Sequence, residues 1–173
     1  MTTILAIETP NRVTIACDSM ASGNDVIQLE QPKIFENHGV TYGVAGTVRL
    51  LNELRYADLP SPEQDDDLDE WMTRRLTPAL RQLITDMGEE KNDGGEYDLH
   101  ILATTGGRVY EITGDLAWIR NTSGVYAAGS GGPFALGAIS AGATIEQALE
   151  IAAKHDPYTG YSLTALEVWK DQE

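Results

Sequence analysis

Short runs of β-branched and apolar residues, separated by turn-forming residues, dominate the N-terminal part of the chain. Residues 3–7 and 13–17 are two such runs, and the turn cluster 9–12 between them predicts a β-hairpin. Residues 32–36 and 40–45 predict a second hairpin in the same way. The chain is therefore expected to begin with antiparallel strands.

The middle of the chain has the 3.6-residue periodicity of amphipathic helices. A first helix is predicted to begin at Gly46-Thr47. Residues 58–70 carry seven carboxylates and no Lys or Arg, which predicts a solvated loop running into the acidic first turn of a second helix. That helix extends over 68–87, and Pro78 predicts a kink, or a restart with Thr77 as the cap.

Strands and helices alternate again in the last part of the chain. The predicted elements are strands 97–104 and 108–113, strand 125–128, a helix ending near 142, a helix beginning at the capping box 144–147, and strand 162–169. The order of hairpins, helices, hairpin, helices and strand predicts an α+β protein in which helical layers cover antiparallel sheet. No repeat or linker divides it, so residues 1–173 are expected to form one domain.

Composition narrows the classes of function. The 173 residues include 12 Lys plus Arg and 27 Asp plus Glu, giving a net charge of −15, which argues against binding to nucleic acid. No apolar run approaches the roughly 18 residues that cross a bilayer, so no membrane association is expected. The N-terminus lacks the pattern of a secretory signal, and the lone Cys17 forms no internal disulfide. We therefore expect a cytoplasmic protein.

Thr2 is the first residue with candidate chemistry. Removal of Met1 is expected because the next residue is small, and Thr2 would then carry a free amine beside its hydroxyl. A hydroxyl is a weak nucleophile until a base takes its proton, and an α-amine with a pKa of about 7.7–8.0 suits that task at neutral pH. Taken alone, a Met-Thr start is a weak signal and is more typical of an ordinary N-terminus.

Five motifs follow one another in a characteristic order and spacing. They are Thr2-Thr3-Ile4-Leu5-Ala6-Ile7, Ala16-Cys17-Asp18-Ser19, Lys33, Val44-Ala45-Gly46-Thr47 and Gly129-Ser130-Gly131-Gly132. Together they resemble the proteasome β-subunit family of N-terminal nucleophile hydrolases, and within it the bacterial HslV peptidases, over most of the chain. The resemblance implies a four-layer αββα sandwich of antiparallel sheets.

The resemblance also implies a role for each matching residue. Thr2 would attack the peptide carbonyl, with its own amine as base and later as acid. Lys33 would favour deprotonation of the hydroxyl, and Asp18 would pair with Lys33. Gly46 would supply a backbone N–H to the oxyanion hole, and Ser130 would hydrogen-bond the N-terminal amine.

Residues 156–160 resemble the family's Asp-x-Tyr-Ser-Gly turn, which lies near the same amine. Asp156 and Thr159 are the candidate site residues of this turn. Thr159 stands where the family usually has Ser, but it keeps a hydroxyl. In the family a monovalent cation can sit on backbone carbonyls around this turn; no other cofactor and no metal site are expected.

Each motif also has an ordinary structural explanation when it is taken singly. Asp18-Ser19 is typical of a strand-ending turn, and Lys33 after Pro32 is typical of an edge strand at the surface. Residues 129–133 suit a strand-to-helix turn and lack the spacing of a phosphate-binding loop. Cys17 is predicted to be a buried small hydrophobe, and the three histidines are too scattered for a zinc site.

The family resemblance implies assembly as well. We expect a homo-oligomeric ring, as a double hexamer, that encloses the active sites and degrades unfolded polypeptides. An ATP-dependent unfoldase could feed it and would be a separate protein, since this chain has no nucleotide-binding motif. The acidic segment 58–70 departs from the pattern expected of HslV and could alter docking of that unfoldase.

The predicted function is thus a threonine-type peptidase subunit, and two alternatives stay open. The chain could be a catalytically silent structural or interaction subunit of the same fold, if Met1 stays attached, because an acylated nitrogen cannot act as a base. It could also be a stand-alone amidase that uses the same N-terminal chemistry on a small amide.

Overall fold

The computed structural model describes residues 2–22 and 25–169. Its strands are β1 (Ile4–Glu8), β2 (Arg12–Asp18), β3 (Met20–Ser22), β4 (Val26–Gln28), β5 (Ile34–Asn37), β6 (Val40–Gly46), β7 (Leu99–Thr105), β8 (Arg108–Ile112), β9 (Trp118–Ile119), β10 (Val125–Ala128) and β11 (Leu163–Trp169). Its helices are α1 (Val48–Tyr56), α2 (Leu68–Trp71), α3 (Thr77–Asp86), α4 (Gly132–Ser140) and α5 (Ile145–His155), with a π-helical turn (Met72–Leu76) between α2 and α3.

The strands form two large antiparallel sheets and one small hairpin. One sheet has the order β10-β1-β2-β11, the other has the order β5-β6-β7-β8-β9, and β3 pairs with β4. The predicted hairpins β1–β2, β5–β6 and β7–β8 are confirmed. The antiparallel register of β1 and β2 pairs Ile4 with Cys17, which brings Thr3 beside the end of β2.

Alternating side chains of β1 show how the layers are built. Ile4 and Ala6 lie in the core between the two large sheets, while Leu5 packs on the opposite side against α4 and α5. On the outer face of the second sheet, side chains such as Tyr42 pack against α1, α2, α3 and the π turn. The result is a four-layer αββα sandwich, as expected.

The first helix is fixed at its beginning by its cap. The Thr47 hydroxyl accepts a hydrogen bond from the Leu50 N–H over 3.1 Å, which satisfies a backbone donor that the helix leaves free. Leu50, Leu51 and Leu54 form the buried face of α1. Gly46, the last residue of β6, directly precedes this cap.

Pro78 does not restart the helix at Thr77. Thr77 has helical dihedral angles, and its N–H donates to the carbonyl of Met72, five residues earlier. This wide π turn shifts the hydrogen-bond register just before Pro78, whose ring would otherwise crowd the preceding turn. Helical backbone therefore continues from Leu68 to Asp86, and the predicted cap at Thr77 was wrong.

The sequence patterns did not predict three short strands, β3, β4 and β9. Each has two or three residues, too few for an alternating pattern to be recognised. In β9, Trp118 packs edge-on against Tyr110 of β8 with 5.3 Å between ring centroids, and only the pairing with β8 identifies the strand. Over the described part of the chain, no helix combines the length and apolarity needed to cross a bilayer.

Candidate active site

The carboxylate of Asp18 is the centre of the candidate site. Its Oδ1 atom accepts three hydrogen bonds: from the Thr2 hydroxyl at 3.0 Å, from the Thr3 N–H at 2.9 Å and from the Lys33 ammonium at 2.9 Å. Asp18 is the last residue of β2, so the antiparallel pairing with β1 presents it to the segment that carries Thr2.

The other oxygen of Asp18 is held by the backbone. Its Oδ2 atom accepts the N–H groups of Met20 and Gly160, each at 2.9 Å. Asp18 is only 1 % exposed, so its charge depends on these donors and on Lys33 instead of water. The buried carboxylate is therefore a fixed point that joins three separate segments of the chain.

Lys33 places a cation directly beside the Thr2 hydroxyl. Its Nζ donates to Thr2 Oγ1 as well as to Asp18 Oδ1. Burial lowers the pKa of Lys33 below its ordinary value, and the negative charge of Asp18 opposes that shift. An ammonium group in this position stabilises negative charge on the Thr2 oxygen.

A cavity of about 660 Å³ opens next to Thr2. Its wall includes Thr2, Lys33, Gly46 and Ser130, together with apolar side chains such as Leu29. The volume lies in the range of pockets that bind small ligands or peptide side chains. Thr2 and its cationic neighbour therefore face a space that can hold a substrate.

Gly46 lies in the wall of this cavity, where neighbouring atoms leave little room for a side chain. A Cβ atom at Gly46 would lie 3.0 Å from the carbonyl oxygen of Asp98 and 3.3 Å from a methyl group of Leu50. A larger residue would therefore be crowded against the Asp98 backbone and the Leu50 side chain, which would have to shift slightly. Gly46 keeps the backbone of this segment at the edge of the cavity, within the same pocket as Thr2.

Asp156 organises a second group of predicted site residues. Its Oδ2 atom accepts hydrogen bonds from the Ser130 hydroxyl at 2.7 Å and from the Thr159 hydroxyl at 2.6 Å. The Thr159 oxygen also lies 2.6 Å from the Thr3 hydroxyl. Thr3 thus connects this group to the Asp18 group.

Two glycines of segment 129–132 permit these contacts. Gly129 has a φ of +88°, and a Cβ atom there would overlap the carbonyl oxygen of Thr2. A Cβ atom at Gly131 would overlap the hydroxyls of Thr3 and Thr159. The segment does lead from β10 into α4, but its glycines are also required by the close approach of the N-terminal segment.

The structure brings all seven predicted site residues into these two connected groups and the adjoining cavity. They are Thr2, Asp18, Lys33, Gly46, Ser130, Asp156 and Thr159. Their chemical roles stay predictions. Met1, whose removal the prediction requires, lies outside the described residues. Sequence reasoning missed Thr3, whose only signal is that it directly follows the candidate nucleophile.

Cys17 and the histidines take no part in these two hydrogen-bonded groups, as far as the structure describes the chain. Cys17 is completely buried between the sheets, and burial raises the pKa of its thiol to about 11. His100 lines the cavity but pairs with Glu111 at 2.7 Å. Residues 2–22 and 25–169 contain no group of three or more His, Cys, Asp or Glu that could hold a metal ion.

The turn 156–160, where a monovalent cation was expected, contains one backbone hydrogen bond of its own. The carbonyl oxygen of Asp156 already accepts the Thr159 N–H at 3.2 Å. Cation binding at the carbonyl groups of this turn stays a prediction.

Several solved structures have an architecture similar to that of this chain. The BPH protein of Thiobacillus denitrificans, solved in complex with epoxomicin, matches with a TM-score of 0.78 at 18 % identity, over 98 % of this chain and 100 % of that one. HslV from Trypanosoma brucei matches with a TM-score of 0.65 at 21 % identity, over 96 % and 99 %. This chain has the fold of proteasome-like proteins.

A third proteasome-like structure extends the comparison. The Anbu complex of Pseudomonas aeruginosa, solved as a helical assembly, matches with a TM-score of 0.67 at 14 % identity, over 98 % of this chain and 82 % of that one. No protein-family model and no curated protein sequence matches the chain significantly. The predicted resemblance is confirmed by structure, and at these identities the likeness concerns the proteasome-like fold.

Proposed function

We propose that this chain is a threonine-type peptidase subunit that hydrolyses unfolded polypeptides, with Thr2 exposed by removal of Met1. The observation that carries the proposal is the Thr2 hydroxyl, which is hydrogen-bonded to both Asp18 and Lys33 at the wall of a substrate-sized cavity. A hydroxyl held beside a buried cation is an activated nucleophile once a base can take its proton.

The free α-amine of Thr2 would be that base. Its pKa of about 7.7–8.0 in model peptides lets it accept the hydroxyl proton near neutral pH. Thr2 Oγ1 then forms a bond to the peptide carbonyl carbon, and the carbonyl oxygen takes up the negative charge. The Gly46 N–H would donate to that oxygen, while Lys33 stabilises the attacking oxygen before the bond forms.

This addition gives a tetrahedral intermediate, and its collapse completes the first half of the reaction. The C–N bond of the peptide breaks, and the α-ammonium of Thr2 returns its proton to the leaving nitrogen. The acyl group remains as an ester on Thr2 Oγ1. A water molecule, deprotonated by the same amine, then attacks the ester, and the Thr2 oxygen leaves with a proton, which regenerates the site.

The assembly is part of the same proposal. A homo-oligomeric ring, as a double hexamer, would enclose the active sites in the cytoplasm and admit polypeptides that a separate ATP-dependent unfoldase has opened. The helical assembly of the similar Anbu complex supports self-association. Exposed apolar side chains such as Tyr161, which is 72 % exposed, and Val26, which is 71 % exposed, are candidates for subunit contacts.

Intact mass spectrometry with a peptide epoxyketone tests the nucleophile. This reagent forms a ring adduct only when a free amine and a hydroxyl lie on adjacent carbons. We expect loss of Met1 and one adduct per chain, and no adduct with Thr2→Ala. Retention of Met1, or loss of Met1 without an adduct, would contradict the proposal.

Two further measurements address the substrate and the assembly. An unfolded protein should be cleaved to peptides, whereas turnover of small amides alone would identify a stand-alone amidase. Analytical ultracentrifugation of the same preparation should show a closed oligomer, and a monomer would contradict the ring.

A further inference from the structure

Thr3 is completely buried, and its hydroxyl takes part in an ordered chain of hydrogen bonds. The Thr3 and Thr159 oxygens lie 2.6 Å apart, and either could donate. Because Thr159 uses its own proton to bond Asp156 Oδ2 at 2.6 Å, Thr3 must be the donor to Thr159. The direction of the chain is therefore Thr3 to Thr159 to Asp156.

The backbone N–H and carbonyl groups of Thr3 both form hydrogen bonds with Asp18. Its N–H donates to Asp18 Oδ1 at 2.9 Å, and its carbonyl oxygen accepts the Asp18 N–H at 3.1 Å. All three polar groups of Thr3 are thus engaged. Thr3 links the carboxylate that holds Lys33 to the turn that contains Asp156, immediately after the candidate nucleophile.

We infer that Thr3 is a positioning residue, whose hydroxyl fixes Thr2 against Asp18 and Lys33 through its bond to Thr159. The inference rests on the proposed function, since it concerns the geometry of that nucleophile. Thr3 does not belong to the cavity wall, so it acts through Thr2 and not by touching substrate. A small displacement of the Thr2 hydroxyl from its reactive position would lower the rate of peptide hydrolysis strongly. The hydrogen bond of the Thr3 hydroxyl would prevent that displacement.

Thr3→Val removes the hydroxyl while keeping a β-branched side chain of similar size. We expect kcat to fall by about tenfold or more with KM little changed, because the cavity stays intact. Thr3→Ser restores a donor and should recover most of kcat. An equal loss of kcat in both variants would overturn the inference, since packing and not the hydroxyl would then be responsible.

Thr104→Val is the matched control. Thr104 is a buried threonine of β7, only 1 % exposed, whose hydroxyl has no hydrogen-bond partner among the residues that the structure describes. Its replacement therefore removes a buried hydroxyl without breaking a hydrogen bond, and kcat should stay at the wild-type value. A Thr3→Val variant that is as active as Thr104→Val would overturn the inference.

Crystal structures of the full-length variants provide a readout that needs no activity. The Thr2 Oγ1 to Asp18 Oδ1 distance is 3.0 Å, and we expect this hydrogen bond to be broken in Thr3→Val but kept in Thr3→Ser and Thr104→Val. An unchanged distance in Thr3→Val overturns the inference whatever the rate. If the wild type fails to hydrolyse peptides, the proposed function fails, while these structures still decide the role of Thr3.

Discussion

Lys33 Nζ and Asp18 Oδ1 form an ion pair 2.9 Å long, and their side chains are only 5 % and 1 % exposed. Removing both charges from water costs free energy that their attraction only partly offsets, so such a pair is weak evidence for stability. The ion pair matters for the candidate site, because the same Lys33 nitrogen donates a hydrogen bond to Thr2 Oγ1. The pair holds a cation beside a hydroxyl at the wall of a cavity.

Asp18→Asn should strongly destabilise the protein. The amide leaves Lys33 without a negative partner, and its NH₂ group cannot accept the N–H groups that now point at the carboxylate. Breaking a buried pair in this way costs about 3–5 kcal/mol, measurable by urea unfolding. Asp58→Asn is the control, because that side chain is fully exposed and its loss should change stability by less than about 0.5 kcal/mol. Equal stability of the two variants would contradict this prediction.

Peptidase activity should depend on pH in a bell-shaped manner. Below about pH 8 the α-amine is protonated and cannot act as base, so kcat/KM should rise towards that pH. At alkaline pH the charge of Lys33 is lost, and because burial lowers the pKa of Lys33, the decline should begin below pH 10.5. A profile of kcat/KM that stays flat through pH 10.5 would contradict this assignment.

The stability of the fold distinguishes that alkaline decline from unfolding. Between the lowered pKa of folded Lys33 and the ordinary value of 10.5, the unfolded chain binds more protons than the folded one. The contribution of Lys33 to the free energy of unfolding therefore rises with pH in this window. Circular dichroism over the same pH series should show folded protein where activity has already declined.

Gly131→Ala should disrupt the junction between the two groups of site residues. The new Cβ atom would overlap the hydroxyls of Thr3 and Thr159, and overpacking of this kind costs about 1–3 kcal/mol. Gly137→Ala is a control inside helix α4, which directly follows Gly131; a Cβ atom there meets no described atom within 4 Å, and the change should stabilise the protein by about 0.5–1 kcal/mol. Thermal unfolding measures both, and equal melting temperatures would count against the steric argument.

Cys17 should be inert in the folded protein. Its thiol is buried and has a pKa raised to about 11, so almost no accessible thiolate exists at pH 8. A thiol-reactive reagent should leave the native protein unlabelled and its activity unchanged, while the urea-denatured chain should react fully. Rapid labelling of the native protein would contradict the burial of Cys17 between the sheets.

Local sequence patterns predicted most of the elements because each rests on neighbouring residues. The Thr144–Gln147 capping box begins α5 as predicted, and the turn after β1 pairs that strand with β2. Local sequence patterns did not predict the elements whose conformation depends on tertiary contacts. The two-residue strand β9 is defined by its pairing with β8, and a π turn accommodates Pro78 within a continuous helical segment.

The sequence by itself determined which side chains are apolar, where strands and helices begin, and that Thr2 could become a nucleophile. It named the candidate site residues through order and spacing, which the family resemblance interprets. Only the tertiary structure decided that Gly160 donates its N–H to Asp18, 142 positions earlier, and that Thr3 joins two groups of polar residues. Such contacts depend on how the layers of the sandwich pack on one another. Hydrophobic periodicity indicates which face of a helix or strand is buried, but not which other element packs against that face.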